Sequence, residues 1–105
     1  MSHFLYKLVP PRPTFDQDMD EAEATIMGEH ATYWRAQTER GRAIVFGVVA
    51  DPAGVWGLAV VDAESEEEVR TIGLRDPAVA AQLAHFEVYA MPGAVTAGTA
   101  FGARR

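Results

Sequence analysis

Residues 20–41, DEAEATIMGEHATYWRAQTERG, decide the fold, and their periodicity predicts one long amphipathic helix. Asp20 and Glu23 make a capping box that starts the helix, and Gly41 suits the left-handed position that ends it. At about 100° per residue the apolar face collects Ile26, His30, Tyr33, Trp34 and Gln37. A single histidine therefore lies in the middle of the face that has to be buried.

Four strands are predicted around this helix. Aromatic and branched side chains mark the first strand at residues 3–9 and the last at residues 85–91. Residues 42–50 and 55–62 form a hairpin, because Pro and Gly stand between them where a tight turn needs them. Both strands of the hairpin are apolar on both faces, which is unusual when one face is solvated. Helices can cover one face, and a second copy of the chain is expected to cover the other.

A second helical region follows the hairpin. Ser65 with Glu68 makes a capping box for its first helix. Pro77 interrupts that helix at Asp76, because a residue before proline avoids the α region. Asp76 then serves as the N-cap of a short helical turn over residues 78–83. The order β-α-β-β-α-β predicts an α+β, ferredoxin-like sandwich, with a four-stranded antiparallel sheet and both helices on one face.

The first and last strands pair antiparallel in this topology. One register places Lys7 opposite Glu87, on the face turned away from the helices together with Tyr89. The side chains predicted to face the helices are Phe4, Tyr6, Leu8, Phe86 and Val88. We expect one domain over residues 1–93, followed by a flexible tail over residues 94–105.

Composition narrows the classes of function. The 105 residues carry a formal net charge of −6, and their basic residues are scattered, so no nucleic-acid partner is expected. No apolar run approaches the roughly 20 residues that span a bilayer, so no membrane partner is expected either. The absence of cysteine excludes disulfides, thiolate metal sites and cysteine nucleophiles. Together with an N-terminus unlike a signal peptide, this favours a cytoplasmic location.

Several short motifs, in their order and spacing, resemble the YCII-related family over residues 3–93. They are Arg12-Pro13-Thr14-Phe15, Asp18-Met19, Met27-Gly28-Glu29-His30, Tyr33-Trp34, Gly41, Asp76-Pro77 and His85-Phe86-Glu87-Val88. The resemblance implies a dimeric ferredoxin-like α/β barrel and a catalytic pair formed by His30 and Asp76. One relative acts on a chlorinated hydroxyquinol, which implies proton transfer on small cyclic substrates. Gln82 departs from the family, whose members often have glycine there, and this predicts an altered helix end near Asp76.

Each candidate site residue has two interpretations. His30 is either a general acid or base, because imidazole ordinarily titrates near neutral pH, or a core histidine bonded to a backbone carbonyl. Asp76 orients that histidine, or it is only a helix cap; one carboxylate can do both. Arg12 binds a substrate anion, or is a solvated loop residue. Tyr33 and Trp34 line an apolar pocket, or belong to the core.

Two functions of different classes remain open. The first is an enzyme that uses no cofactor, in which His30 and Asp76 move a proton on a small cyclic or aromatic ligand in an isomerase- or lyase-like step. The second is a non-catalytic homodimer that binds a small ligand or a partner protein. No metal is expected, since His3 and His85 would lie roughly 20 Å apart in the predicted pairing and no histidine pair has the helical zinc spacing.

Overall fold

The computed structural model describes residues 2–97, which form one four-stranded sheet and four helices. In chain order these are β1 (Ser2–Val9), α1 (Phe15–Asp18), α2 (Glu21–Glu39), β2 (Ala43–Val49), β3 (Trp56–Ala63), α3 (Glu66–Leu74), α4 (Pro77–Ala80) and β4 (His85–Ala90). All the predicted strands and helices are present, and α1 is an additional short helix that was not predicted. The domain boundary at residue 93 stays a prediction, and most of the predicted tail, from residue 98 onward, lies outside the described residues.

The sheet has the strand order β2-β3-β1-β4, and each neighbouring pair runs antiparallel. This is the predicted ferredoxin-like arrangement. Lys7 pairs with Glu87, so the predicted register is confirmed. One face of the sheet packs on the helices, where Tyr6 and Val61 join Trp34 of α2 and Val69 of α3 in a single core. The sheet therefore forms one layer, and α2 and α3 form the other. The apolar face of α2 is turned toward the sheet.

The opposite face of the sheet is left uncovered by the helices. Val45 of β2 is 48 % exposed and Tyr89 of β4 is 50 % exposed. Lys7 lies with its ammonium 4.8 Å from the centre of the Trp56 ring, and Tyr89 donates a hydrogen bond to Glu87. This outer face is thus mixed in character, with a cation and a carboxylate among apolar side chains.

Local signals explain where α2 begins and ends. The Asp20 carboxylate accepts a hydrogen bond from the amide of Glu23, and the Glu23 carboxylate accepts one from the amide of Asp20, which completes the predicted capping box. Gly41 has φ 79°, the left-handed conformation predicted for the residue that ends the helix. At α3 only half of the predicted box forms, because the Glu68 carboxylate accepts from the amide of Glu64 instead of Ser65.

Gln82 adopts a left-handed conformation, with φ 60°, and follows Ala81, the residue that caps the end of α4. This is the position where the resemblance predicted a glycine, and the backbone explains why, since glycine adopts a positive φ without a steric penalty. The chain keeps this turn with glutamine in place. Within residues 2–97, none of the helices is both long and apolar enough to cross a membrane.

Gly73 of α3 and Gly28 of α2 make a matched pair for testing the helix–sheet contact. A Cβ on Gly73 would lie 2.8 Å from ring atoms of Tyr6 and Phe86, whereas a Cβ on Gly28 would meet nothing within 4 Å. We expect Gly73→Ala to lower the free energy of unfolding by about 1–3 kcal/mol through overpacking. Gly28→Ala should raise it by roughly 0.5–1 kcal/mol, because alanine favours a helix interior. Urea denaturation measures both, and equal effects of the two substitutions would contradict this packing.

Gln82→Gly is expected to stabilise the protein. Glycine removes the left-handed strain of about 1–2 kcal/mol, and its greater freedom in the unfolded chain offsets part of that gain, leaving up to about 1 kcal/mol. Gln17→Gly in α1 is the control and should cost roughly 0.5–1 kcal/mol, because Gln17 has helical geometry. Thermal unfolding compares the two variants, and a lower melting temperature for Gln82→Gly would contradict the prediction.

Candidate active site

Asp76 lies at the junction of α3 and α4 and is completely buried. Its carboxylate Oδ1 accepts a hydrogen bond of 2.9 Å from the amide of Ala78, so it caps α4 as predicted, with Pro77 at the first helical position. This local bond explains the backbone position of Asp76. It leaves most of the hydrogen-bonding capacity of a buried carboxylate to be satisfied by other parts of the chain.

His30 of α2 meets that carboxylate. Its Nδ1 lies 2.9 Å from each oxygen of Asp76, across a sequence separation of 46 residues. The His30 side chain is 14 % exposed, whereas that of Asp76 is 0 % exposed. The two residues predicted as a pair are therefore brought together, with the carboxylate inside the protein and the imidazole between it and the surface.

Two further side chains donate to Oδ2 of Asp76. The Tyr6 hydroxyl of β1 lies 2.9 Å from this oxygen, and the Trp34 Nε1 of α2 lies 2.8 Å from it. Burial, followed by the negative charge of Asp76, raises the pKa of Tyr6, so its phenol keeps its proton and remains a donor. With His30 and the Ala78 amide, four groups from three elements converge on one carboxylate.

These contacts lower the pKa of Asp76. Burial raises the pKa of Asp76, but the hydrogen bond and charge of His30 and the bonds from Trp34 and Ala78 outweigh it, so that the pKa is lowered overall. Asp76 is then an ionised carboxylate, which can only accept hydrogen bonds. The proton of neutral His30 must therefore be on Nδ1, and Nε2 has the free lone pair. Such a histidine can accept a proton at Nε2 while Asp76 stabilises the resulting imidazolium.

A cleft of about 300 Å³ opens beside His30. It lies between α1, α2 and the sheet edge formed by β2 and the start of β3, and its walls are mostly apolar, with Asp16 and His30 as the charged or titratable lining residues. The wall residues include Leu8, Phe15, Met19, Met27, Phe46 and Val55. The volume is at the lower end for small-molecule sites and suits a ligand of about one ring. A recess of about 10 Å³ next to it, lined in part by Tyr6, His30 and Trp34, has room for one water molecule.

The other predicted ligand-binding residues have different places. Tyr33 donates a 2.6 Å hydrogen bond to the carbonyl of Ile72 in α3, and it is not among the residues that line the cleft. Trp34 lines only the recess, and it is bound to Asp76. Tyr33 therefore joins α2 to α3, and the predicted role of both residues in binding a substrate stays a prediction.

Arg12 is engaged by carboxylates. Its guanidinium makes a bidentate pair with Glu23, at 2.7 and 3.0 Å, and its Nε lies 2.7 Å from Asp18. The hydrogen bond from Arg12, with that from the Asp20 amide, lowers the pKa of Glu23 to about 2. Arg12 thus ties the proline-rich loop to the first turn of α2, outside the His30 cleft, and its predicted role as an anion binder stays a prediction.

Tyr6 is the site residue that sequence reasoning missed. It was predicted only as an inward-facing core residue of β1, which is correct as far as burial goes. The available signal was the hydroxyl itself, because a buried tyrosine normally finds a hydrogen-bond partner. The walls contributed by α1 were also missed, since a four-residue helix leaves no periodicity to detect.

Among the described residues, no group of three or more His, Cys, Asp or Glu is close enough together to hold a metal ion.

A solved structure with a similar fold is that of 5-chloro-2-hydroxyhydroquinone dehydrochlorinase from Burkholderia phenoliruptrix AC1100, in complex with 2,5-dihydroxybenzoquinone. The two chains superpose with a TM-score of 0.60 at 17 % sequence identity, over 82 % of this chain and 89 % of the other. At this identity the likeness shows a shared fold. No curated protein matches this chain by sequence.

The sequence profile of the YCII-related domain matches residues 7–92, which include the His30–Asp76 pair, the strands β2, β3 and β4, and the last three residues of β1. The resemblance of the short motifs is thereby confirmed over most of the chain. This protein belongs to the YCII-related domain family.

Proposed function

We propose that this protein is an enzyme that needs no cofactor and uses the His30–Asp76 pair for acid/base chemistry on a small cyclic substrate. The observation that carries the proposal is the position of the imidazole. Its Nδ1 is bound to a buried carboxylate, and its ring lines an apolar cleft of about 300 Å³. This arrangement suits a histidine that acts as a general base, because one ring nitrogen is held while the other is left for the substrate.

In the proposed step, Nε2 of His30 removes a proton from a ring substrate in the cleft. Asp76 keeps Nδ1 protonated and stabilises the positive charge that develops on the imidazole. The apolar walls exclude water, which strengthens the interaction between the imidazolium and the substrate anion that forms. The proton is returned to another atom in an isomerase-like step, or it is lost with a leaving group in a lyase-like step.

The structural neighbour suggests which leaving group to test. It is a dehydrochlorinase of a chlorinated hydroxyhydroquinone. Loss of HCl needs a base for the proton, while chloride departs with the bonding electrons, so no oxidant or reductant is consumed. We propose the same class of elimination, or a proton shift on a related ring, for this chain.

The proposal gives structural roles to the two predicted ligand-binding residues outside the cleft. Arg12 holds the loop that precedes α1, and Tyr33 holds α2 against α3. Both act on the shape of the cleft through the helices that form it.

We also propose that the protein works in the cytoplasm, on the grounds of its cysteine-free sequence.

The second candidate is a non-catalytic, homodimeric binding module. The uncovered outer face of the sheet favours it, because apolar side chains such as Val45 and Tyr89 are half exposed there. The same surface is compatible with a dimeric enzyme. The two candidates therefore differ in whether His30 moves a proton, and not in whether the protein pairs.

His30→Gln tests the catalytic proposal. An amide in place of the imidazole can still donate to Asp76 but cannot exchange a proton, so turnover should fall about 10²- to 10⁴-fold while the fold is kept. Chloride release from 5-chloro-2-hydroxyhydroquinone and hydrogen–deuterium exchange into a panel of cyclic enols measure the reaction.

The control for this test is His85→Gln, which changes an exposed histidine at the start of β4. It should leave turnover as in the unaltered protein. Equal rates for His30→Gln and the unaltered protein would refute the role of His30. A complete absence of turnover and exchange, together with ring-ligand binding in the cleft, would favour the binding module.

Dimerisation through the outer face is tested by Val60→Glu. Val60 lies in β3 and pairs with Leu5 and Val45 on this face, so a carboxylate there would be buried without a partner in a dimer. We expect light scattering to give a dimer at micromolar concentration for the unaltered protein, and at least about tenfold weaker association for the variant. Leu74→Glu, on the exposed side of α3, is the control and should not change the mass. A monomer at all concentrations would contradict the proposal.

A further inference from the structure

Oδ2 of Asp76 accepts two hydrogen bonds that helix capping does not require. The cap of α4 uses Oδ1 and the amide of Ala78, and it would be complete without any further donor. Tyr6 and Trp34 nevertheless both direct their donors to Oδ2, at 2.9 and 2.8 Å. These two side chains come from different layers of the protein, the sheet and the long helix.

The two donors are held rigidly. The centres of the Tyr6 and Trp34 rings are 4.7 Å apart, and Phe86 stacks on Tyr6 with ring centres 5.2 Å apart. Gly73 of α3 leaves the space for the Tyr6 ring, because a Cβ there would be 2.8 Å from Cε1. Both rings are 1 % exposed. The hydroxyl and the indole N–H therefore have little freedom to leave the carboxylate.

We propose that Tyr6 and Trp34 are positioning residues, which act through Asp76 to set the orientation and the proton affinity of His30. Each neutral donor takes up part of the negative charge on Oδ2 and leaves less of it for the imidazolium. Together they also fix the plane of the carboxylate, so that Nδ1 of His30 is held 2.9 Å from both oxygens. This positioning role rests on the proposed function, because it matters for catalysis only if His30 moves a proton. The experiments that test it need no substrate.

The charge on the Asp76 carboxylate determines the direction in which the His30 titration should shift when a donor is removed. If one donor to Oδ2 is removed, the carboxylate retains more charge for His30, and the protonated imidazole becomes more stable. His30 should then titrate at a higher pH than in the unaltered protein. Three further titratable or charged groups lie near the pair: Tyr33 of α2 interacts electrostatically with Asp76, Asp16 of α1 lines the cleft with His30, and the exposed Arg75 is the chain neighbour of Asp76. None of them is altered by the substitutions that test the proposal.

The unaltered protein offers the first test. Two-dimensional NMR follows the histidine ring signals and the two indole N–H signals during a pH titration, with His30→Gln used to assign the His30 ring. The indole of Trp34 should move with the same midpoint as the His30 ring, because both bind Asp76. The indole of Trp56 is an internal control, since it donates to a different carboxylate, that of Asp51, at 3.1 Å. A Trp34 signal that does not follow the His30 titration would overturn the proposal.

Substitutions give the second test. Tyr6→Phe and Trp34→Phe each remove one donor, and each should raise the midpoint of the His30 titration by about half a pH unit. Tyr89→Phe removes a hydroxyl bound to Glu87 on the outer face and should leave the midpoint unchanged. An unchanged midpoint in a folded Tyr6→Phe protein would refute the role of Tyr6, even if the protein proved to be an active enzyme. Shifted midpoints in a protein without turnover would support the positioning role and count against the proposed function. If Tyr6→Phe does not fold, the titration of the Trp34 indole in the unaltered protein decides whether the proposal holds.

Discussion

A buried carboxylate that must stay ionised is the constraint on which this structure depends. Taking a carboxylate out of water is expensive unless donors replace the lost hydration, and Asp76 has no exposed surface at all. Its donors come from β1, α2 and the first turn of α4. The sheet, the long helix and the short helix must therefore all be in place before this one residue is satisfied. Leaving any of these donors unpaired would cost more than the bond itself contributes, which makes the cluster specify the packing of the layers.

The residues of this cluster differ in how exposed they are to solvent. Capping needs Asp76 at the start of α4, and the helix–sheet interface needs Tyr6 and Trp34 to be buried, but neither requirement explains a histidine at the edge of the cluster. His30 is the member of the network that is 14 % exposed, and it separates the buried carboxylate from the cleft. The apolar walls around it offer little other hydrogen bonding. If His30 is the proposed base, Nε2 is the ring nitrogen left for a ligand, because Nδ1 is bound to Asp76.

The sequence was informative where a local rule decided the structure. Asp20 and Glu23, Gly41, and the Asp76-Pro77 pair occupy positions that capping chemistry dictates, and all were predicted correctly. The register of Lys7 against Glu87 followed from the alternation of the two strands. Tyr6 was different, because its bond to Asp76 spans 70 residues and depends on how far α3 approaches the sheet at Gly73. Arg12 also could not be placed from its sequence, since a loop arginine followed by several acidic residues can face a ligand or a helix terminus equally well.

The cluster also links the stability of the fold to the state of the proposed site. The pKa of Asp76 is lowered in the folded protein, although burial alone would raise it. Asp76 therefore contributes stability above its ordinary pKa near 3.9, and that contribution is lost as the pH falls toward its lower folded value. The donors Tyr6, Trp34 and Ala78 are bound to this carboxylate independently of the second proton of His30. A proton can then enter and leave the imidazole without removing a group that holds the layers together, which is what repeated acid/base turnover in so small a domain would require.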